Sequence, residues 1–380
     1  MTKTFVLAPD SFKESMSAEQ ACFAMQRGIE KAMPDAQCIH VPMADGGEGT
    51  VDALIAALQG RRVECEVTGP LPAQKIQTYF GLIDEGKTAV IEMAKANGIH
   101  LLPMEQRNPL LTSTFGTGEM IAQALDLGVS KIILGLGGSV TNDGGAGMAQ
   151  ALGAKFYDAA GNAVQGCGGQ LGRIRKIDLS ALEPRLKSAE ILIASDVNNP
   201  LCGANGASAV FGPQKGADAE MVQILDQNLS HFADAVEKAA SHSCRHIAGA
   251  GAAGGLGFGL MAFAGAKIQS GVELVIAQCR LAEKIAQADY VFTGEGKIDF
   301  QTKFGKTPFG VAQAAAKLNK PVIAFAGLVG EGIEELYALG FTRIIGINPP
   351  GCALQDALNN AEMHLENAVA ALMQNLAEHD

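Results

Sequence analysis

The chain is short of charge. Only 18% of its 380 residues are Asp, Glu, Lys or Arg, against roughly 25% in average domains. A positive excess is missing as well: 29 basic against 40 acidic residues leave a net charge of −11. That excludes nucleic acid and anionic membrane as bulk partners and leaves room only for a local basic pocket. No Cys-x-x-Cys occurs. Cys22, Cys38, Cys65, Cys167, Cys202, Cys244, Cys279 and Cys352 lack any zinc spacing, so free buried thiols in a reducing cytoplasm are expected. The N-terminal apolar run is too short for a signal peptide. Neither a Gly-x-Ser-x-Gly hydrolase elbow nor a His-Glu-x-x-His zinc pair is present. His242 and His246 flank Cys244 without a further ligand nearby and read as a polar helix end. One uncharged run, Ile247–Ala266, is long enough to span a bilayer. It is glycine-rich and poor in Leu, Ile and Val, which predicts a buried glycine loop followed by a core helix.

Hydrophobic residues and glycine are plentiful instead, at 48% and 46 residues respectively. The length suits two or three domains at about 150 residues each. Phe5–Ala8 reads as a buried strand. Ser17 and Gln20 form a capping-box pattern ahead of a helix with Ala21, Met25, Ile29 and Ala32 at helical spacing. Strand candidates follow near Gln37–Pro42 and Arg62–Val67, with a helix from about Thr50 to Leu58 between them. This alternation predicts a parallel sheet with functional loops at the carboxyl ends of its strands. Lys75–Ile83 and Thr88–Met93, around Asp84-Glu85-Gly86-Lys87, predict a hairpin. Further strands are expected at Lys131–Leu134, Ile191–Ala194, Asp289–Phe292, Val322–Ala326 and Arg343–Ile347. A last helix would carry Leu354, Leu358, Ala361, Leu365, Leu372 and Leu376 on one face.

The expected fold class is α/β. A discontinuous, Rossmann-like parallel-sheet domain, residues 1–67 with 285–380, would enclose an inserted α/β domain of mixed sheet, residues 68–284. Six strands of the outer domain would place a switch point between the first and the fourth. The loops after Ala8 and Phe292 would meet there, and the active site would lie in the crevice between the domains.

Two motif matches mislead. Gly249-Ala-Gly-Ala-Ala-Gly254 fits the dinucleotide fingerprint literally but lacks a convincing strand before it. Gly81–Thr88 fits the Walker A pattern in full. It sits between two β-rich runs, and Asp84 and Glu85 would face the phosphates, so a hairpin turn is expected.

Five loops share one character: glycine with carboxylate, hydroxyl or lysine directly after a β run. They are Asp10–Ser17, Asp45–Thr50, Gly135–Gly147, Ser195–Pro200 and Gly294–Lys306, with Phe211–Ala217 beside them. In the third, a strand runs through glycines into a helix at Met148, which predicts bare N–H groups suited to an anion. Phosphoryl transfer uses this mixture of N–H groups, lysines and carboxylates. Two other classes stay open on the residues alone. One is a nicotinamide-dependent oxidoreductase, which would bind NAD(P)H tightly. The other is a non-catalytic sugar-acid binder, which would bind without releasing ADP.

At these loops the chain resembles the type I glycerate kinase family. The matching segments are Ala8-Pro-Asp-Ser-Phe-Lys-Glu-Ser15, Ala44-Asp-Gly-Gly-Glu-Gly-Thr50, Gly137-Gly-Ser-Val-Thr-Asn-Asp-Gly-Gly145, Asp196-Val-Asn-Asn-Pro-Leu201, Phe211-Gly-Pro-Gln-Lys-Gly-Ala217 and Gly294-Glu-Gly-Lys-Ile-Asp299, with Gln301-Thr302 and Gly305-Lys306. Val140 stands where the family usually has Ala. The resemblance implies ATP-dependent phosphorylation of D-glycerate with Mg²⁺, giving 2-phosphoglycerate. On these motif positions Asp196 is the favoured general base and Asp45 the second. Lys13 and Lys215 are candidates for the glycerate carboxylate and the transferring phosphoryl group, with Ser11, Ser15 and Asn198 also on the substrate. Gly137, Gly138, Ser139, Asn142, Gly294, Gly296 and Lys306 would hold the nucleotide. Glu48, Asp143, Glu295 and Asp299 are the metal-side carboxylates.

Overall fold

Thr4–Leu7 forms the expected first strand, and Phe5, Val6 and Leu7 are wholly buried because both faces of the sheet are covered. A computed structural model describes residues 2–240 and 243–377, and its contacts divide the chain into two units. The first unit comprises Met1–Asp45, Asp52–Gln59 and Val272–Asp380, and the second Gly46–Val51 and Gly60–Gly271.

The first unit holds five parallel strands in the order Arg343–Gly346, Val322–Val329, Tyr290–Ile298, Thr4–Leu7, Gln37–His40. Arg62–Val67 is not the sixth, contrary to expectation. Arg61–Thr68 pairs antiparallel with Lys75–Ile83 in the other sheet. A short apolar run carries no record of its pairing partner, and here the nearest one is the hairpin that follows. Helix Ala18–Glu30 begins with the capping box at Ser17 and Gln20. It packs on Ala361–Ala377, and a Cβ at Gly28 would lie 2.6 Å from the Glu366 carbonyl oxygen, so only glycine lets these helices approach so closely. Phe5, Phe292 and Phe325 stack edge-on in the core beneath them. The last helix is shorter than its periodicity predicts. A separate turn, Leu354–Asn359, precedes it, and Leu354 is 76% exposed instead of sharing the apolar face.

The second unit holds six strands in the order Lys267–Gln269, Glu190–Ala194, Lys131–Gly135, Thr88–Glu92, Lys75–Ile83, Arg61–Thr68. The first four run parallel and the last two antiparallel. Asp84–Gly86 is the tip of the hairpin between Lys75–Ile83 and Thr88–Glu92, so the Walker-type match is a turn, and the Lys87 side chain is 72% exposed. The uncharged run contains the buried helix Ala252–Ala264. Among the described residues no helix is long and apolar enough to cross a membrane. His242 lies outside the described residues. None of the eight cysteines is in a disulfide.

Candidate active site

In the first unit the strand order reverses at Thr4–Leu7, which lies between Gln37–His40 and Tyr290–Ile298. The connections that leave its carboxyl end open a crevice there, where α/β sheets bind ligands. Asp10 sits at that point, its backbone N–H donating to the Gly294 carbonyl at 2.8 Å. Its carboxylate accepts the Ser11 N–H at 2.6 Å and the Thr307 hydroxyl at 2.5 Å. Burial, and then the charge of Asp45, push its carboxyl up to about 6. Glu295 accepts the Thr302 hydroxyl at 3.1 Å and lies 3.5 Å from the Lys306 ammonium. Burial lifts it to about 7 against the pull of Lys306. The chain thus holds two carboxylates at the switch point that keep a proton to higher pH than usual, beside one lysine. Such perturbed pairs mark functional sites.

The Gly294–Lys297 segment is not a loop after the strand, as expected, but the strand itself, which pairs with Val322–Val329 as far as Ile298. Two glycines hide the strand from propensity. Asp299 caps the turn Phe300–Lys303 and pairs with Lys297 at 2.8 Å, which holds its carboxyl below the usual range. The Ser15 hydroxyl donates to the Phe12 carbonyl at 2.8 Å, and Lys13 is exposed.

In the second unit three motif loops converge at neighbouring strand ends. A Cβ at Gly135 would lie 2.5 Å from the Gly46 carbonyl oxygen, and one at Gly46 would lie 3.0 Å from the Ala194 Cβ. Glu48, Gly137, Gly138, Asp196 and Asn198 are at the surface of these loops or close to it. Ser139, Asn142, Asp143 and Lys215 are buried beneath them. Asp143 accepts four donors: the Thr114 N–H and hydroxyl and the Gly145 and Gly147 N–H groups. It is wholly enclosed, and burial raises its carboxyl while these donors lower it. The N–H groups opening helix Ala146–Ala151 are not left bare: those of Gly145 and Gly147 donate to the Asp143 carboxylate and that of Met148 to the Thr114 hydroxyl, so Asp143 braces the loop.

Lys215 is 1% exposed, and its ammonium donates to the Ser139 hydroxyl and the Thr141 carbonyl, each at 2.7 Å. It reaches the loop from inside. Burial pushes it down to about 7, with Asp143 pulling the other way. Asn142 donates to the Ser208 hydroxyl at 2.9 Å. The literal dinucleotide fingerprint belongs to this same support. The Gly144 N–H donates to the Gly254 carbonyl at 3.0 Å, and a Cβ at Gly254 would lie 2.0 Å from the Thr141 oxygen.

Three residues escaped the sequence reading of roles. Asp10 stood inside a quoted motif without one. Thr307, just past the last of the motif loops, had none either. Glu92, 3% exposed, ends an otherwise apolar strand and accepts the Val51 N–H at 2.7 Å, holding the Gly46–Thr50 loop. A carboxylate closing an apolar run is the signal that could have found it.

Fold and site together are those of an α/β phosphotransferase. Residues 5–377 match the model of the Glycerate kinase family, and the chain belongs to that family. It is 50% identical over 361 residues to a glycerate kinase of Haemophilus influenzae, covering 95% of each chain. It is 49% identical over 356 residues to a glycerate 2-kinase of Escherichia coli K12, covering 94% of this chain and 93% of the other. Its structure is similar, at a TM-score of 0.91 and 45% identity, to a crystal structure of a candidate glycerate kinase 2 from Salmonella typhimurium LT2. That likeness covers 100% of this chain and 99% of the other.

Proposed function

We propose that the chain transfers the γ-phosphoryl group of ATP to the 2-hydroxyl of D-glycerate, giving 2-phosphoglycerate and ADP. Family membership along nearly the whole chain, with a relative named glycerate 2-kinase, carries this reading. The glycerate hydroxyl oxygen attacks the γ-phosphorus, its proton passes to a carboxylate, and the bond to the ADP oxygen breaks. Asp196 is the favoured acceptor of the proton and Asp45 the second. The exposed Gly137–Gly138 backbone and Lys306 are assigned to the nucleotide phosphates, and Lys13 to the glycerate carboxylate.

Among the described residues no group of three or more metal-ligating side chains stands together. Mg²⁺ is commonly held by one or two carboxylates together with phosphate oxygens and water. Glu295 or Glu48 would hold it, and Asp299 would do so only after leaving Lys297. When bound, the ion would neutralise charge developing on the phosphates. A reducing cytoplasm is the proposed location, in keeping with eight free thiols.

The test is ADP release coupled to D-glycerate, with NMR of the product. Wild type should turn over to 2-phosphoglycerate. Asp196→Asn keeps the size of the side chain but cannot take the proton, and should lose at least about 10²-fold in kcat. No ADP above background from wild type at millimolar substrates would sink the reading. Full kcat in the variant would move the base to Asp45.

A further inference from the structure

A buried lysine that makes no direct ion pair is costly, and something must repay its retention. Lys215 is such a group. Its two acceptors are a hydroxyl and a carbonyl, both from residues 139–141, and neither carries charge. A second observation falls on the same stretch. The Thr141 Oγ1 and Asn142 Oδ1 atoms are buried without a hydrogen-bond partner. The loop is therefore tied down by Lys215, by Ser208 and by Thr114 acting through Asp143, while its head, Gly137–Gly138, stays exposed. A glycine loop left to itself would spread over many backbone states, and an anion would have to order it on binding.

We propose that Lys215 is a positioning residue. Its ammonium holds the Ser139 hydroxyl and the Thr141 carbonyl from beneath, and so fixes the exposed Gly137–Gly138 backbone for a phosphate-bearing ligand. The identity of that ligand as a nucleotide rests on the glycerate kinase reading, whereas the tie itself does not. Lys215 contacts no substrate in this role, which separates it from the substrate ligand that its motif position suggests.

The experiment compares Lys215→Met, Ser139→Ala and the double variant with wild type. Hydrogen exchange of the amides in residues 136–142 reports the loop without reference to activity, and calorimetry with ADP reports the anion. A hydrogen bond from a charged group is worth enough that Lys215→Met should speed exchange and weaken ADP binding by about tenfold or more. Ser139→Ala should move both in the same direction by less. The double variant should be little worse than Lys215→Met, because both changes cut one tie and their effects cannot add. Should Lys215→Met fail to fold, Ser139→Ala alone carries the test, since it keeps the lysine and removes one of its two acceptors. Exchange and ADP affinity within twofold of wild type overturn the proposal. So does a rise in KM for D-glycerate with ADP binding unchanged, which would make Lys215 a substrate ligand. Faster exchange and weaker ADP binding in the variants, with no phosphorylation of glycerate by wild type, uphold the tie while the substrate assignment falls.

Discussion

At the residue scale, the groups most at odds with their surroundings are those nearest the expected chemistry. Asp10 is held up to about 6, against an ordinary 3.8, by burial and by Asp45. The sign of its effect on folding follows. Between about pH 4 and 6 the folded chain binds a proton at Asp10 that the unfolded chain has already lost, so stability falls as pH rises through that window. Above it the cost of the buried charge is fully present. Asp10→Asn should therefore stabilise the protein at pH 8 by on the order of 1 kcal/mol, with the gain fading below about pH 4. Urea unfolding at pH 8, 6 and 4 measures this. A variant that is less stable at pH 8 would mean that the Ser11 and Thr307 hydrogen bonds outweigh the charge. Asp299 is the opposite case: Lys297 satisfies it and holds its carboxyl below the usual range.

At the scale of elements, the hairpin and the helix start at Lys306 test where phosphate binding resides. Lys87 stands at a turn between antiparallel strands, and its recorded ion pair is an exposed one with Glu85 at 3.8 Å. Such a pair contributes little. Lys87→Ala should change stability by no more than about 0.5 kcal/mol and leave kcat/KM for ATP near wild type. Lys306 precedes helix Thr307–Ala316 and pairs with Glu295 beside the switch point. Its loss should remove much of kcat/KM for ATP. Steady-state kinetics on the two purified variants decide the matter. A dead Lys87→Ala with a healthy Lys306→Ala would move phosphate binding to the hairpin. The hairpin itself was legible, because alternating apolar runs around Asp-Glu-Gly-Lys specify a turn locally. The membership of Arg61–Thr68 was not, because pairing depends on which edge the folded sheet leaves open.

At the scale of the whole molecule, an acidic chain of net charge −11 is proposed to act on anions. Its long-range field repels ATP, so binding must come from local groups and from cations that accompany the nucleotide. Turnover should vanish with EDTA and return with added Mg²⁺, as the ADP-release assay will register. Full activity after exhaustive chelation would leave lysines and backbone N–H groups as the whole countercharge.

The strand-end loops of the candidate site could be read from the sequence because their signals are local. Glycines with hydroxyls and carboxylates after apolar runs specify strand-end loops, and the capping box at Ser17 specifies a helix start, whatever the rest of the chain does. The α/β class follows from the same periodicity. Tertiary structure alone decided which polar residues face outward. Asp143, Asn142 and Lys215 share a motif vocabulary with Glu48 and Asp196, yet the first three are enclosed and brace a loop. It also raised Asp10 from a motif letter to a perturbed carboxylate, by bringing Asp45 and Thr307 to it from distant parts of the chain. Spacing records which donors and acceptors a segment carries. Burial and the charge of neighbours determine what those groups do, and both arise only when distant segments pack.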